Sequence, residues 1–93
     1  MVKKKIARWD DGDSGIFSDG TRFRLAGVRA PEKYQFGGSR ATRTAASMTG
    51  RSNGWVNWKP FGSSYGRQVG NMSNADGSIN RRMLTRGYKN KGR

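Results

Sequence analysis

The residues able to do chemistry are few and fall in three places. Asp10-Asp11-Gly12-Asp13 holds half of the chain's six acidic residues. The run Arg24-Leu25-Ala26-Gly27-Val28-Arg29-Ala30-Pro31-Glu32 carries two arginines and the only glutamate. Tyr65-Gly66-Arg67 sets a further arginine beside a phenol. There is no histidine and no cysteine, which rules out imidazole acid–base chemistry, histidine-dependent triads, disulfides and thiolate metal sites. Acid–base work therefore falls to carboxylates, lysines or tyrosines. Three close carboxylates repel one another unless a cation sits between them, or else they simply form an Asx turn that needs no cation. A carboxylate and a guanidinium brought near Asp11-Gly12-Asp13 would hold a metal and a phosphate together.

Several elements must bring these groups to one place. Phe23, Leu25 and Gly27 alternate with Arg22, Arg24 and Ala26, which predicts a strand over 21–28 with Arg24 on its polar face. Pro31 fixes its own φ and keeps Ala30 extended, so Glu32 stands just past the end of that strand on a loop. Upstream, residues 4–9 read as a first strand with Ile6, Ala7 and Trp9 as apolar members, broken by the acidic turn. A second strand spans 14–18, and Asp19-Gly20 reads as a type I′ hairpin turn, which needs positive φ at both central residues.

Downstream of a loop over 33–38, Ser39 is placed to cap a helix running to Met48 and stopped by Gly50. Ala41, Ala45 and Met48 form its apolar face. Arg40 and Arg43 fall elsewhere on its surface, either as a solvated basic stripe or as nucleic-acid contacts. A fourth strand over 55–59 ends at Pro60, with Val56 and Trp58 inward and Trp55 outward, either stacking a base or lying against a loop. A glycine-rich loop over 61–66 leads to a fifth strand over 67–73 with Val69 and Met72 as apolar members. A turn over 74–78 precedes a second helix over 79–86, ended by Gly87, with Ile79 and Met83 on one face. The tail 89–93 is basic and is expected to be disordered, adding phosphate affinity without a fixed shape.

Three strands, a helix, two strands and a helix is the order of a five-stranded OB-fold barrel, mainly β with two helices in an α+β arrangement. Ninety-three residues make a single domain, 1–93, with its core over 4–88. The net charge of +13, from 19 basic and 6 acidic side chains, points to an anionic partner, most simply DNA or RNA. A structural contact with a polyanion, or solubility alone, would use the same charge. The lysine-rich start has no apolar run behind it and no segment is long enough to span a membrane, so the expected compartment is the cytoplasm.

In order and approximate spacing, Asp11-Gly12-Asp13, the run 24–32 and Tyr65-Gly66-Arg67 resemble the thermonuclease family, the staphylococcal nuclease-like phosphodiesterases. The Asp76-Gly77 turn and the helix end at Arg86-Gly87 extend the resemblance over residues 6–88. It implies an OB barrel with packed helices and calcium-dependent hydrolysis of phosphodiester bonds in DNA and RNA. It implies that Asp13 and the backbone carbonyl of Ala30 ligate calcium, with Asp11 as a supporting carboxylate. Glu32 would activate the attacking water, Arg24 and Arg67 would grip the phosphate, and Tyr65 would contact a substrate phosphate. A base on a loop, a hard cation held by oxygens and two forked donors suit phosphodiester hydrolysis.

The chain departs from that family at Arg29, where a second metal-binding aspartate is usual, and at Ala30, where threonine is usual. Three outcomes follow. Asp10 or Asp11 replaces the lost ligand; or Arg29 turns outward to bind substrate while water completes the metal shell; or Arg29 takes the metal's place and leaves a phosphate-binding module with little or no catalysis. Measured against that family, the chain is expected to lack the C-terminal extension with its last helix and stacking tyrosines. An apolar patch uncovered by its loss would favour self-association, so the expected state is a monomer or a weak homodimer. The expected function is a metal-dependent nuclease; the alternatives are a nucleic-acid-binding OB module without chemistry and a structural protein that coats a polyanion.

Overall fold

Alternating apolar residues fold the first quarter of the chain into a meander, and the second half wraps back to close it. The computed structural model describes residues 1–32, 34–50 and 52–89. Among these, the elements are β1 (Val2–Asp11), β2 (Ser14–Phe17), β3 (Arg22–Leu25), α1 (Gly38–Gly50), β4 (Trp55–Ser64), β5 (Arg67–Asn74), β6 (Gly77–Ser78) and α2 (Ile79–Thr85). The molecule is mainly β with two helices. The sheet runs β3-β2-β1-β4-β5-β6 with antiparallel neighbours, and β3 also pairs with β5 in parallel. That last pairing closes β1 to β5 into a ring.

Phe17, Phe23, Leu25, Val56, Trp58 and Met72 point inside the core, and the helices cover it with Ala45, Met48, Ile79 and Met83. Phe17 stacks on Phe23 at 4.5 Å between centroids, and Trp58 meets Phe17 edge-on at 5.3 Å. Burying an indole strands its N–H unless a partner is supplied. Trp58 donates Nε1–H to Gln68 Oε1 at 2.9 Å, and Trp9 donates to Thr49 Oγ1 at 3.0 Å. Ala41, Ala45 and Met48 are buried as the helical spacing predicts.

Several boundaries differ from the sequence pattern, each for a local reason. The third strand stops at Leu25 rather than Val28, because Gly27 turns the chain with φ +71° while Ala26 N–H bonds to Gly70 O at 2.9 Å. Gly27 is therefore exposed and not on the apolar face, and Pro31 is not what ends the strand. The turn after β2 is not type I′: Gly20 has positive φ but Asp19 does not. Its backbone closes with Gly20 N–H to Phe17 O at 2.9 Å, and the Asp19 carboxylate accepts Thr21 N–H at 2.8 Å. Asp19 also pairs with Lys4, whose hydrogen bond holds its carboxyl down at about 2.

The first strand starts at Val2 and runs into the acidic segment as far as Asp11, with a register shift between Ile6 and Arg8 that leaves Ala7 exposed. The fourth strand does not end at Pro60 but continues to Ser64. Pairing with β1 has already ended at Trp58, and a bulge between Pro60 and Gly62 absorbs the irregularity. Most of the glycine-rich segment is thus strand, and only Tyr65-Gly66 turns. The first helix starts at Gly38, so Ser39 lies within it and is not its cap. Ser78 does cap α2, its Oγ accepting Arg81 N–H at 3.1 Å. Residues 90–93 of the basic tail lie outside the described residues. No helix among the described residues is long and apolar enough to cross a membrane.

Candidate active site

The closure of the ring positions the two arginines. Parallel pairing sets Arg24 of β3 against Val69 of β5. Cross-strand partners share a face and side chains alternate along a strand, so Arg67, two residues before Val69, lies on the same face as Arg24. Ser14 is the antiparallel partner of Arg24 on the other side, which brings the β1–β2 turn alongside. That turn needs Gly12: a Cβ there would come within 2.8 Å of the Ala41 Cβ and 2.9 Å of the Ala30 Cβ. The helix and the segment before Pro31 both press on it.

Asp13 is held by this packing. Its backbone oxygen accepts Leu25 N–H at 2.8 Å, and its Oδ2 accepts Ala30 N–H at 3.3 Å. Arg24 Nη2 lies 3.7 Å from Asp13 Oδ2 and donates to Val28 O at 3.4 Å. Asp13 is only 8% exposed. Burial pushes its carboxyl up from the ordinary 3.8; the Ala30 N–H and the Arg24 charge oppose that rise, the Asp11 charge adds to it, and Arg67 opposes it from further off. Asp11 itself accepts a long hydrogen bond from Ser14 Oγ at 3.4 Å. Glu32 sits on a loop locked by Gln35, whose Oε1 accepts Glu32 N–H at 2.9 Å and whose N–H donates to Glu32 O at 2.8 Å.

Asp11, Asp13, Arg24, Ala30, Glu32 and Arg67 line one cavity of about 290 Å³, joined by Arg29 and Gln35. A second cavity of about 340 Å³ shares Asp11, Glu32 and Arg67 and continues past Arg8, Arg22 and Tyr34. Arg29 is exposed, with its N–H bonded to Tyr88 O at 3.1 Å. It borders both the first cavity and a neighbouring groove with Phe36 and Tyr88, while the ion pair at Asp13 is made by Arg24. Tyr65 is not brought to the cavity. It is 96% exposed at the β4–β5 turn, with φ +53°, and lines neither cavity.

Among the described residues, no three acidic side chains gather closely enough to hold an ion by themselves. The cavity wall carries the carboxylates of Asp11, Asp13 and Glu32 and the amide of Gln35, and the resemblance adds the Ala30 carbonyl to Asp11 and Asp13 as a ligand set. Calcium takes roughly six to eight oxygens with waters counted, so such a set would supply part of a divalent cation's shell and leave the rest to water and a bound phosphate. Burial and the Asp11 charge work against the Asp13 charge, while the Ala30 N–H and Arg24 partner it.

The sequence pattern did not single out Gln35, Arg8 or Arg22 for this region. Arg8 and Arg22 reach it because each pairs with Ile16, which puts both on one face in a row across β1, β2 and β3. That row depends on register, and a β-bulge in β1 hides it from simple counting. No family model matches this sequence, and no curated protein matches it either.

Proposed function

We propose that this chain is a small metal-dependent nuclease on an OB-type barrel, of the staphylococcal nuclease-like kind, hydrolysing phosphodiester bonds of DNA or RNA. The observation that carries this reading is the convergence of Asp13, Arg24, Glu32 and Arg67 on one cavity, from four separate segments of the chain. A polyanion as substrate also fits the net charge of +13.

In this mechanism the two guanidinium forks of Arg24 and Arg67 take hold of the phosphate oxygens. They offset the negative charge that builds on those oxygens as water adds to phosphorus and the ester bond breaks. The Glu32 carboxylate accepts the proton of the attacking water. Gln35 fixes the backbone on which that carboxylate stands. Asp13, Asp11 and the Ala30 carbonyl would hold a divalent cation, calcium by the sequence resemblance, and that ion supplies positive charge beside the reacting phosphate. Arg29, at the cavity border, contacts a neighbouring phosphate of the strand.

The test is cleavage of single-stranded DNA with calcium, and separately with magnesium. Glu32→Gln, which keeps size and hydrogen bonding but cannot take a proton, is expected to lower the rate by roughly 10²- to 10⁴-fold with binding retained. An unchanged rate would remove Glu32 from this role. The second reading is a phosphate-binding module without chemistry, favoured by the Arg24–Asp13 ion pair, which already partners the buried carboxylate. It expects no product with any divalent ion and an oligonucleotide affinity that EDTA leaves unchanged.

A further inference from the structure

The two helices make a separate basic groove. Arg40 and Arg43 come from α1, Arg82 from α2, and Arg86 from the residue that ends α2; with Thr44 and Ser47 they line a groove of about 460 Å³. Residues 40, 43, 44 and 47 lie at helical spacing on one stripe of α1 beside the buried Ala41–Ala45–Met48 face. Asn74 ties the two walls together. Its Nδ2 donates to Met48 O at 2.9 Å and its Oδ1 accepts from Arg82 Nη1 at 3.5 Å. Arg82 is thereby held against α1, and the four arginines line one groove.

No carboxylate is among the residues lining this groove. Five of the six acidic residues are engaged elsewhere: Asp10, Asp11, Asp13 and Glu32 line the two cavities, and Asp19 pairs with Lys4. The sixth, Asp76, belongs to the β5–β6 turn. Four guanidinium groups around one groove repel one another, and an extended anion relieves that repulsion.

We propose that this groove binds the sugar–phosphate backbone of a polynucleotide, at a site distinct from the candidate active site. It shares no residue with either cavity. Planar guanidinium forks match phosphate oxygens two at a time, and serine and threonine hydroxyls are common phosphate partners. Among the described residues, the wall offers no aromatic side chain to anchor a peptide or to enter a lipid surface. The inference goes beyond the nuclease reading and holds for a chain with no hydrolytic activity. In a nuclease, it gives the strand a second hold that survives the cut.

The experiment measures binding of a labelled single-stranded oligonucleotide in EDTA, over a range of salt. Arg40→Ala/Arg86→Ala removes two exposed groove arginines and leaves Arg82 on Asn74. Lys3→Ala/Lys5→Ala removes the same charge from exposed positions on β1. The groove variant is expected to weaken binding about tenfold or more and to flatten the slope of log K against log salt by roughly 1.4, about 0.7 for each phosphate left without its arginine. The β1 variant should lose far less, and Arg40→Lys/Arg86→Lys should fall between the groove variant and the wild type. Unchanged melting temperatures ensure that folding is not the cause. Equal losses in the groove and β1 variants would mean that net charge alone is acting, and would overturn the site. So would displacement of the oligonucleotide by polyglutamate as effectively as by unlabelled DNA, since the groove would then belong to acidic peptides.

Discussion

Asp13 is the carboxylate that the fold buries most deeply among the described acids, and burial acts against its charge. Its folded pKa lies above the ordinary 3.8. Within the window between those two values the native state binds more protons than the unfolded chain, so this residue's contribution to stability falls as pH rises. Below about 3.8 the penalty disappears. Asp13→Asn keeps an acceptor for Ala30 N–H and removes the charge. In EDTA the variant is expected to melt higher than the wild type at pH 7, with the gap closing as pH falls toward 3.8; assayed separately with the divalent ion present, it is expected to lose cleavage. A lower melting temperature at pH 7 would show that the Arg24 pair outweighs burial. On the nuclease reading, Asp13 is kept for function at some expense of stability.

At the scale of elements, the long β4–β5 hairpin carries the most exacting contact. Gly70 pairs with Pro60, and a Cβ at Gly70 would lie 2.3 Å from Lys59 O and 2.8 Å from Pro60 Cα. Both obstacles are backbone and have little room to give. Gly70→Ala is expected to destabilise by about 1–3 kcal/mol, while Gly62→Ala on the bulge, where nothing lies within 4 Å, should be close to neutral. Thermal melts of the two variants check this. The same hairpin shows what a sequence can and cannot disclose. Its strands were legible from Val56, Trp58 and Met72, all of which are buried. Its length was not, because Pro60 reads as a stop unless one knows that the β1 pairing has already ended. Likewise Asp19-Gly20 announced a hairpin but not the kind of turn, which the wider backbone closure decides. Of the candidate site, Glu32 and the acidic turn with Asp13 stood out because carboxylates are scarce in this chain. Arg24 stood out because strand alternation turns it away from the apolar face, whereas Arg67 was singled out by the family resemblance. Arg22 shares the polar face of its strand with Arg24 by alternation, but Arg8 was not legible, since only the pairing register across a bulged β1 brings it to the same wall. The substrate contact expected of Tyr65 came from the family resemblance, and the turn carries that side chain out of the cavity.

At the scale of the whole molecule, charge and size meet. The principal extents are 31 × 27 × 21 Å, so at 0.01 M salt, where charges act over about 30 Å, every positive group acts on every other. At 0.15 M the range shrinks to about 8 Å and only neighbours repel. A chain of net charge +13 is therefore expected to melt higher as sodium chloride is added over this interval, while its affinity for an oligonucleotide falls. Melting curves and binding titrations in the same buffers should move in opposite directions. A melting temperature that ignores salt would mean that the acidic residues already neutralise the repulsion locally.

The parallel contact between β3 and β5 closes the ring, and Arg24 and Arg67 stand on its two sides. On the proposed reading, a phosphate gripped by both forks would act as a clasp across that closure: it would favour the paired strands, and loosening the strands would weaken the grip.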